Sequence, residues 1–238
     1  TASGLKIYST ASEQLKKVSL ELGGKNANII FEDCDFEKAV ATSIKSSFSN
    51  QGEICLCGSR IFVQSSIYQK FLDAFVPKAR NIIVGDPNDP KTEVGALVSQ
   101  GHMEKVLGYI ELAKQEGGVI ECGGGRKHLQ GELRDGYFVE PTVITNLKPS
   151  SRVAQEEIFG PVVTVHPFET EEEVINLAND SQYGLSCSVW TQNGSRMRRV
   201  AEAIQVGTVW VNCWLIRDLS MPFGGTKKSG IGREGGEY

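Results

Sequence analysis

Short runs rich in β-branched and aromatic residues alternate along this chain with stretches whose apolar residues recur every three to four positions. Few architectures accept that alternation. Parallel strands need long crossovers, and helical crossovers cover the faces of the sheet they connect. The chain therefore reads as α/β with a mostly parallel sheet. Strands are expected at 18–22, 26–31, 60–64, 119–121, 137–144, 162–168, 186–190 and 208–211. Helices are expected at 3–15, from Asp35 to about Phe48, from Ser66 onward, and at 99–115, 170–179 and 194–204. Asp35 is the expected N-cap of the second helix, its carboxylate accepting a free backbone N–H. Ser66 with Gln69, and Thr170 with Glu173, have the spacing of capping boxes. The segments 85–90 and 123–136 read as loops from their turn residues.

The length of 238 residues allows one or two domains. A net charge of −4, with no basic run, argues against a nucleic-acid partner. No stretch approaches the ~18 apolar residues of a membrane span, and residues 1–20 lack the apolar segment of a signal peptide. The six cysteines are then expected to be reduced thiols of a cytoplasmic protein. Cys55 and Cys57 are one residue apart and no histidine pairs with them in sequence, so no metal site is expected. Thr1 is not a methionine, and Tyr238 follows a glycine-rich tail. The chain reads as a fragment of a longer protein.

The chemistry centres on Asn50-Gln51-Gly52-Glu53-Ile54-Cys55-Leu56-Cys57-Gly58-Ser59-Arg60. Cys55 sits on a polar, glycine-flanked loop between a helix and a strand. Loops held by rigid neighbours are where reactive groups meet substrates. Cys55 is the candidate nucleophile, although taken alone it also reads as an idle buried thiol. A nucleophile needs surroundings that favour thiolate, either positive charge or backbone N–H groups. Glu21, between Leu20 and Leu22, points away from both on strand alternation. It reads as a general base with a raised pKa or as a solvated carboxylate on an edge strand. Glu157, in Glu156-Glu157-Ile158-Phe159-Gly160-Pro161, can bond hydroxyls such as those of a ribose. Phe159 can pack on a flat ring or belong to the core. Arg217 lies beside apolar residues and either awaits an anion or pairs with Asp218. The glycines of Pro222-Phe223-Gly224-Gly225 lack the Walker pattern and are not read as a phosphate cradle.

Taken together, these motifs resemble the aldehyde dehydrogenase superfamily. Leu20-Glu21-Leu22-Gly23-Gly24-Lys25-Asn26 is similar to its glutamate signature, and Phe48-Ser49-Asn50-Gln51-Gly52-Glu53-Ile54-Cys55 to its cysteine signature. The 156–161 and 222–225 motifs are similar to two later ones. Within the superfamily, 52–57 and 212–219 resemble the branch acting on muconic semialdehydes. The resemblance implies NAD-linked oxidation of a small-molecule aldehyde to a carboxylate. Cys55 would form a thiohemiacetal and then a thioester, with its own N–H helping to hold the oxyanion. Glu21 would activate the water that hydrolyses the thioester. Glu157 would hold the nicotinamide ribose, Phe159 would flank the nicotinamide, and Leu22 and Gly23 would border it. Arg217 would pair with a substrate carboxylate, since a guanidinium grips one in a bidentate fork.

On the same basis, residues 1–22 would end a Rossmann-like NAD-binding domain, and 23–238 would form the catalytic domain with its C-terminal return segment. Most of the NAD-binding domain would lie before Thr1, so residues 1–238 alone would bind NAD poorly. The full-length protein would be a homo-oligomer, dimer or tetramer, with no membrane and no nucleic-acid partner. Ala27 stands where the family usually has proline. Two alternatives remain open. One is a CoA-acylating relative, against which Glu21 argues; the other is an inactive truncated fragment with a scaffold role.

Overall fold

The computed structural model describes residues 1–236. In chain order these form α1 (Ala2–Ser12), β1 (Leu20–Glu21), β2 (Ala27–Ile30), α2 (Phe36–Phe48), β3 (Arg60–Gln64), α3 (Tyr68–Arg80), α4 (Gln100–Gln115) and β4 (Val119–Cys122). Then follow β5 (Thr142–Thr145), α5 (Arg152–Gln155), β6 (Val162–Phe168), α6 (Glu171–Asn179), β7 (Tyr183–Gly184), β8 (Ser186–Trp190), α7 (Gly194–Ala203) and β9 (Thr208–Val211). The short pieces β10 (Thr226–Lys227) and β11 (Gly230–Ile231) close the series. Seven strands form one sheet in the order β4-β5-β6-β3-β2-β8-β9. All its pairings are parallel except the edge pair of β4 and β5.

Alternation along the central strands explains why both faces are covered. Ile30, Ile61, Val63, Val163 and Val165 face a core built with Phe48 of α2 and with Phe71 and Phe75 of α3. Ile29, Phe31, Phe62 and Val189 face the opposite core, with Val174 of α6 and Val200 of α7. Strands buried on both sides carry near-continuous apolar runs, as these do. The helix starts follow local chemistry. Lys38 N donates to Asp35 Oδ1 (3.3 Å), and His102 N to Ser99 Oγ (3.2 Å).

Four expectations change. The strand expected at 18–22 shrinks to Leu20–Glu21 and pairs only with β11, outside the main sheet. The strand expected at 137–144 becomes Thr142–Thr145. Pro141 has no N–H for a ladder, and upstream of it only Val139 makes an isolated bridge, to Arg126. No capping box forms at Ser66: its hydroxyl donates to Glu32 Oε2 (2.6 Å), and α3 starts two residues later. At Thr170 the forward bond forms, Glu173 N to Thr170 Oγ1 (3.1 Å), but the Glu173 carboxylate reaches back to Glu169 N (2.7 Å).

Candidate active site

Four loops converge at the amino ends of four adjacent parallel strands. Residues 22–26 lead into β2, 53–59 into β3, 156–161 into β6, and Leu185 into β8. Open α/β sheets usually bind ligands at the opposite, carboxyl ends. Asn26, which is buried, ties these loops together. Its Nδ2 donates to Cys55 O (2.7 Å) and Cys57 O (2.8 Å), while its Oδ1 accepts from Ser186 N (3.1 Å). Gly24 permits the approach, since a Cβ there would lie 2.9 Å from Cys55 O.

Cys55 follows α2 and a tight turn at Ser49–Gly52, in which Asn50 and Gln51 have φ of 50° and 47°. It is half-buried beside Ile54, Leu56, Leu185, Trp210, Cys213, Trp214 and Phe223. The segment after β9 folds back over this loop, and Trp214 Nε1 donates to Leu56 O (3.0 Å). Leu20 and Leu22 line one cavity with α1. Glu21 lies on the other side of the strand, where its Oε1 accepts from Gly225 N (3.2 Å). Leu22 is therefore turned toward α1. Gly23 lies against the Glu157 carboxylate, with no room for a side chain between them. Glu157 Oε1 accepts from Gly24 N (2.9 Å). Phe159 is half-buried, with φ of 62°. The Arg217 guanidinium stacks on the Phe223 ring at 4.0 Å, while Asp218 accepts from the Ser220 N–H and hydroxyl. Arg217 thus has no carboxylate partner among the described residues.

Electrostatically, Cys55, Glu21, Glu157 and Arg217 form one group. Burial pushes the Cys55 thiol up, and the charges of Glu21 and Glu157 add to this; its own backbone N–H and Arg217 act the other way. In these surroundings it rests as a thiol, opposite to the activation a nucleophile needs. Burial likewise raises Glu21, against the Gly225 N–H. A carboxylate whose pKa is raised holds a proton more readily, which suits it to taking one up.

Sequence reasoning missed two features. Lys25 is 2% exposed, its Nζ has no hydrogen-bond partner among the described residues, and burial followed by Arg60 lowers its pKa to about 7. Helix α4 also lies along the 156–160 turn. Its His102, Lys105 and Tyr109 bond to that turn and stand at helical spacing, a polar stripe that was present in the sequence. Among the described residues, no three His, Cys, Asp or Glu are gathered as for a metal ion.

The sequence profile of the aldehyde dehydrogenase family matches residues 1–238. The chain belongs to the aldehyde dehydrogenase family. It is 53% identical to 2-aminomuconic semialdehyde dehydrogenase of Danio rerio over all of its own length and 49% of the relative's. It is 54% identical to the enzyme of that name from Mus musculus, over 97% of this chain and 48% of that one. Betaine aldehyde dehydrogenase from Staphylococcus aureus in complex with NAD+ matches it with a TM-score of 0.95 at 46% identity, over 99% of this chain and 47% of that one. This aldehyde dehydrogenase chain thus spans about half the length of the relatives it matches. The family uses NAD, and the residues here fit part of that cofactor. Glu157 spends one carboxylate oxygen on Gly24 N, and its carboxylate meets no Lys or Arg within 4 Å among the described residues. Its remaining lone pairs are open to ribose hydroxyls.

Proposed function

We propose that these residues serve an NAD-dependent oxidation of an aldehyde to a carboxylate, with a carboxylated semialdehyde such as 2-aminomuconic semialdehyde as substrate. The observation that carries the reading is the convergence of Glu21, Glu157 and Arg217 around Cys55, whose thiol the two carboxylates push up and the guanidinium pulls down. The Cys55 thiol adds across the aldehyde carbonyl: its sulfur bonds the carbon as the C=O π bond opens, and its proton ends on the former carbonyl oxygen, forming a thiohemiacetal. The Cys55 N–H, which acts to lower the thiol's pKa, helps to hold the oxygen that gains charge. NAD, when bound, supplies the hydride acceptor that turns this adduct into a thioester. Glu21 then takes a proton from water, which attacks the thioester and frees the acid and the Cys55 thiol. Glu157 holds the ribose, Phe159 flanks the ring, and Gly23 and the backbone of Leu22 border it, since the Leu22 side chain is turned toward α1.

Arg217 is exposed and pairs with no carboxylate among the described residues, and it grips the acid group of the substrate. The names of the muconic semialdehyde relatives support that substrate class. The reading places residues 1–22 at the end of an NAD-binding domain and 23–238 in the catalytic domain of a cytoplasmic homodimer or tetramer.

The test is competitive alkylation near neutral pH, read peptide by peptide by mass spectrometry, which needs no cofactor. Cys55 should label faster than the other five cysteines if its pocket activates it, since Cys34 and Cys213 are also half-buried and also lie outside helix and strand, so exposure alone would not set it apart. Labelling of Cys55 no faster than that of half-buried Cys34 would defeat the reading.

A further inference from the structure

Helix α4 holds the 156–160 turn residue by residue. His102 Nε2 lies 2.6 Å from Phe159 O, Lys105 Nζ donates to Glu157 O (3.2 Å), and Tyr109 Oη donates to Glu156 Oε2 (2.6 Å). These positions are i, i+3 and i+7, one face of a helix. Val106, on the same face, packs so close to Gly160 that a Cβ there would lie 2.7 Å from its methyl. The turn needs such a hold, because Phe159 has a left-handed φ of 62°, which is costly for an aromatic residue.

His102 has a second partner. A carbonyl oxygen only accepts, so the short contact to Phe159 O fixes the proton on Nε2. The same Nε2 lies 3.4 Å from Glu53 Oε1. The Glu53 side chain is 9% exposed, and its carboxylate also accepts from Gln51 Nε2 (2.9 Å) and Val98 N (3.2 Å). Glu53 stands two residues before Cys55, and its N–H closes the turn by donating to Asn50 O (2.8 Å). One ring nitrogen therefore touches both the loop that carries Cys55 and the turn that carries Glu157 and Phe159.

We propose that His102 is a positioning residue that joins the Cys55 loop and the 156–160 turn into one rigid unit, holding the nucleophile in register with the cofactor side of the site. The proposal deepens the dehydrogenase reading and rests on it for the roles of Cys55, Glu157 and Phe159. The coupling itself is mechanical and can be read without turnover.

The experiment is amide hydrogen exchange on peptides spanning 50–58 and 156–161, with the Cys55 alkylation rate alongside. His102→Asn has no nitrogen at the Nε2 position, whereas His102→Gln places an amide N–H near it. His102→Asn should speed exchange in both peptides by about tenfold, the loss expected for one hydrogen bond, and should change the Cys55 rate. His102→Gln should restore all three. Tyr109→Phe, which releases only Glu156, should speed 156–161 and leave 50–58 unchanged. Faster exchange at 156–161 alone in His102→Asn, or at neither peptide, overturns the coupling. If His102→Asn loosens the whole sheet, the shape-preserving Glu53→Gln decides instead: it must speed 156–161 as well as 50–58, and no change at 156–161 refutes the proposal. Slow Cys55 labelling in the unaltered chain would count against the dehydrogenase reading, while the exchange data would still decide the coupling.

Discussion

Replacing Gly52 with alanine tests whether the Cys55 loop is seated on the 156–161 turn as described. Gly52 has φ of +76°, a region that costs an L-residue about 1–2 kcal/mol. It also lies against the Gly160 carbonyl, and a Cβ would come within 2.8 Å of Pro161 N, both of them backbone atoms that cannot swing aside. Forcing atoms into so close a fit costs about 1–3 kcal/mol. Together these give a loss of about 2–5 kcal/mol, large against the 5–15 kcal/mol typical of a domain. Gly52→Asn separates the two costs: asparagine tolerates a left-handed φ but brings the same Cβ, so it should lose less than alanine by about 1 kcal/mol. Gly101→Ala, in the first turn of α4 with nothing within 4 Å of its Cβ, should instead gain about 0.5–1 kcal/mol. Urea titration followed by tryptophan fluorescence measures all three. A Gly52→Ala loss below about 1 kcal/mol, with the Cys55 labelling rate unchanged, would refute the description of this interface.

Lys25 supplies a pH test. Its folded pKa of about 7 lies below the ordinary 10.5, so unfolding takes up a proton between those values and stability rises with pH across that window. The penalty is full below about pH 7 and fades toward 10.5, so Lys25→Met should stabilise the chain at pH 6 by on the order of 4 kcal/mol. The gain should shrink at pH 10, and an equal effect at both pH values in urea titrations would contradict the burial argument. Glu21→Gln removes the first of the two charges that add to burial in raising Cys55, so the pH profile of Cys55 alkylation should move to lower pH. An unmoved or upward profile would mean that Glu21 does not face the thiol. Arg217→Ala should raise KM for an acidic aldehyde by roughly tenfold or more, as for a hydrogen bond to a charged group, and leave a neutral aldehyde nearly unchanged. Equal effects on both would end the substrate assignment.

The central sheet was legible because β2, β3, β6, β8 and β9 are buried on one or both faces and carry β-branched residues that few other structures use so densely. The edges were less legible. Pro141 cut one expected strand, and β1 depends on a partner 211 positions away, Leu20 on Ile231, which local pattern cannot reveal. The candidate residues stood out as odd types on glycine-flanked loops, but their mutual charges did not. The rise in the Cys55 pKa arises from burial and from two carboxylates brought near by the fold. The grip of α4 on the 156–160 turn was hidden for the same reason: His102, Lys105 and Tyr109 read as an ordinary polar stripe until the turn is laid against them.

The amide of Asn26 exposes the site to a lesion that leaves shape untouched. Its NH2 faces two carbonyl oxygens and its oxygen faces one N–H. Deamidation to aspartate would keep every heavy atom in place yet exchange both donated hydrogens for lone pairs, setting a charged oxygen against the carbonyls of Cys55 and Cys57. The loop would be repelled from the strand that now holds it, although the side chain itself keeps its size and shape. Chemical ageing at this one buried side chain would thus unseat the thiol while the rest of the fold stayed intact.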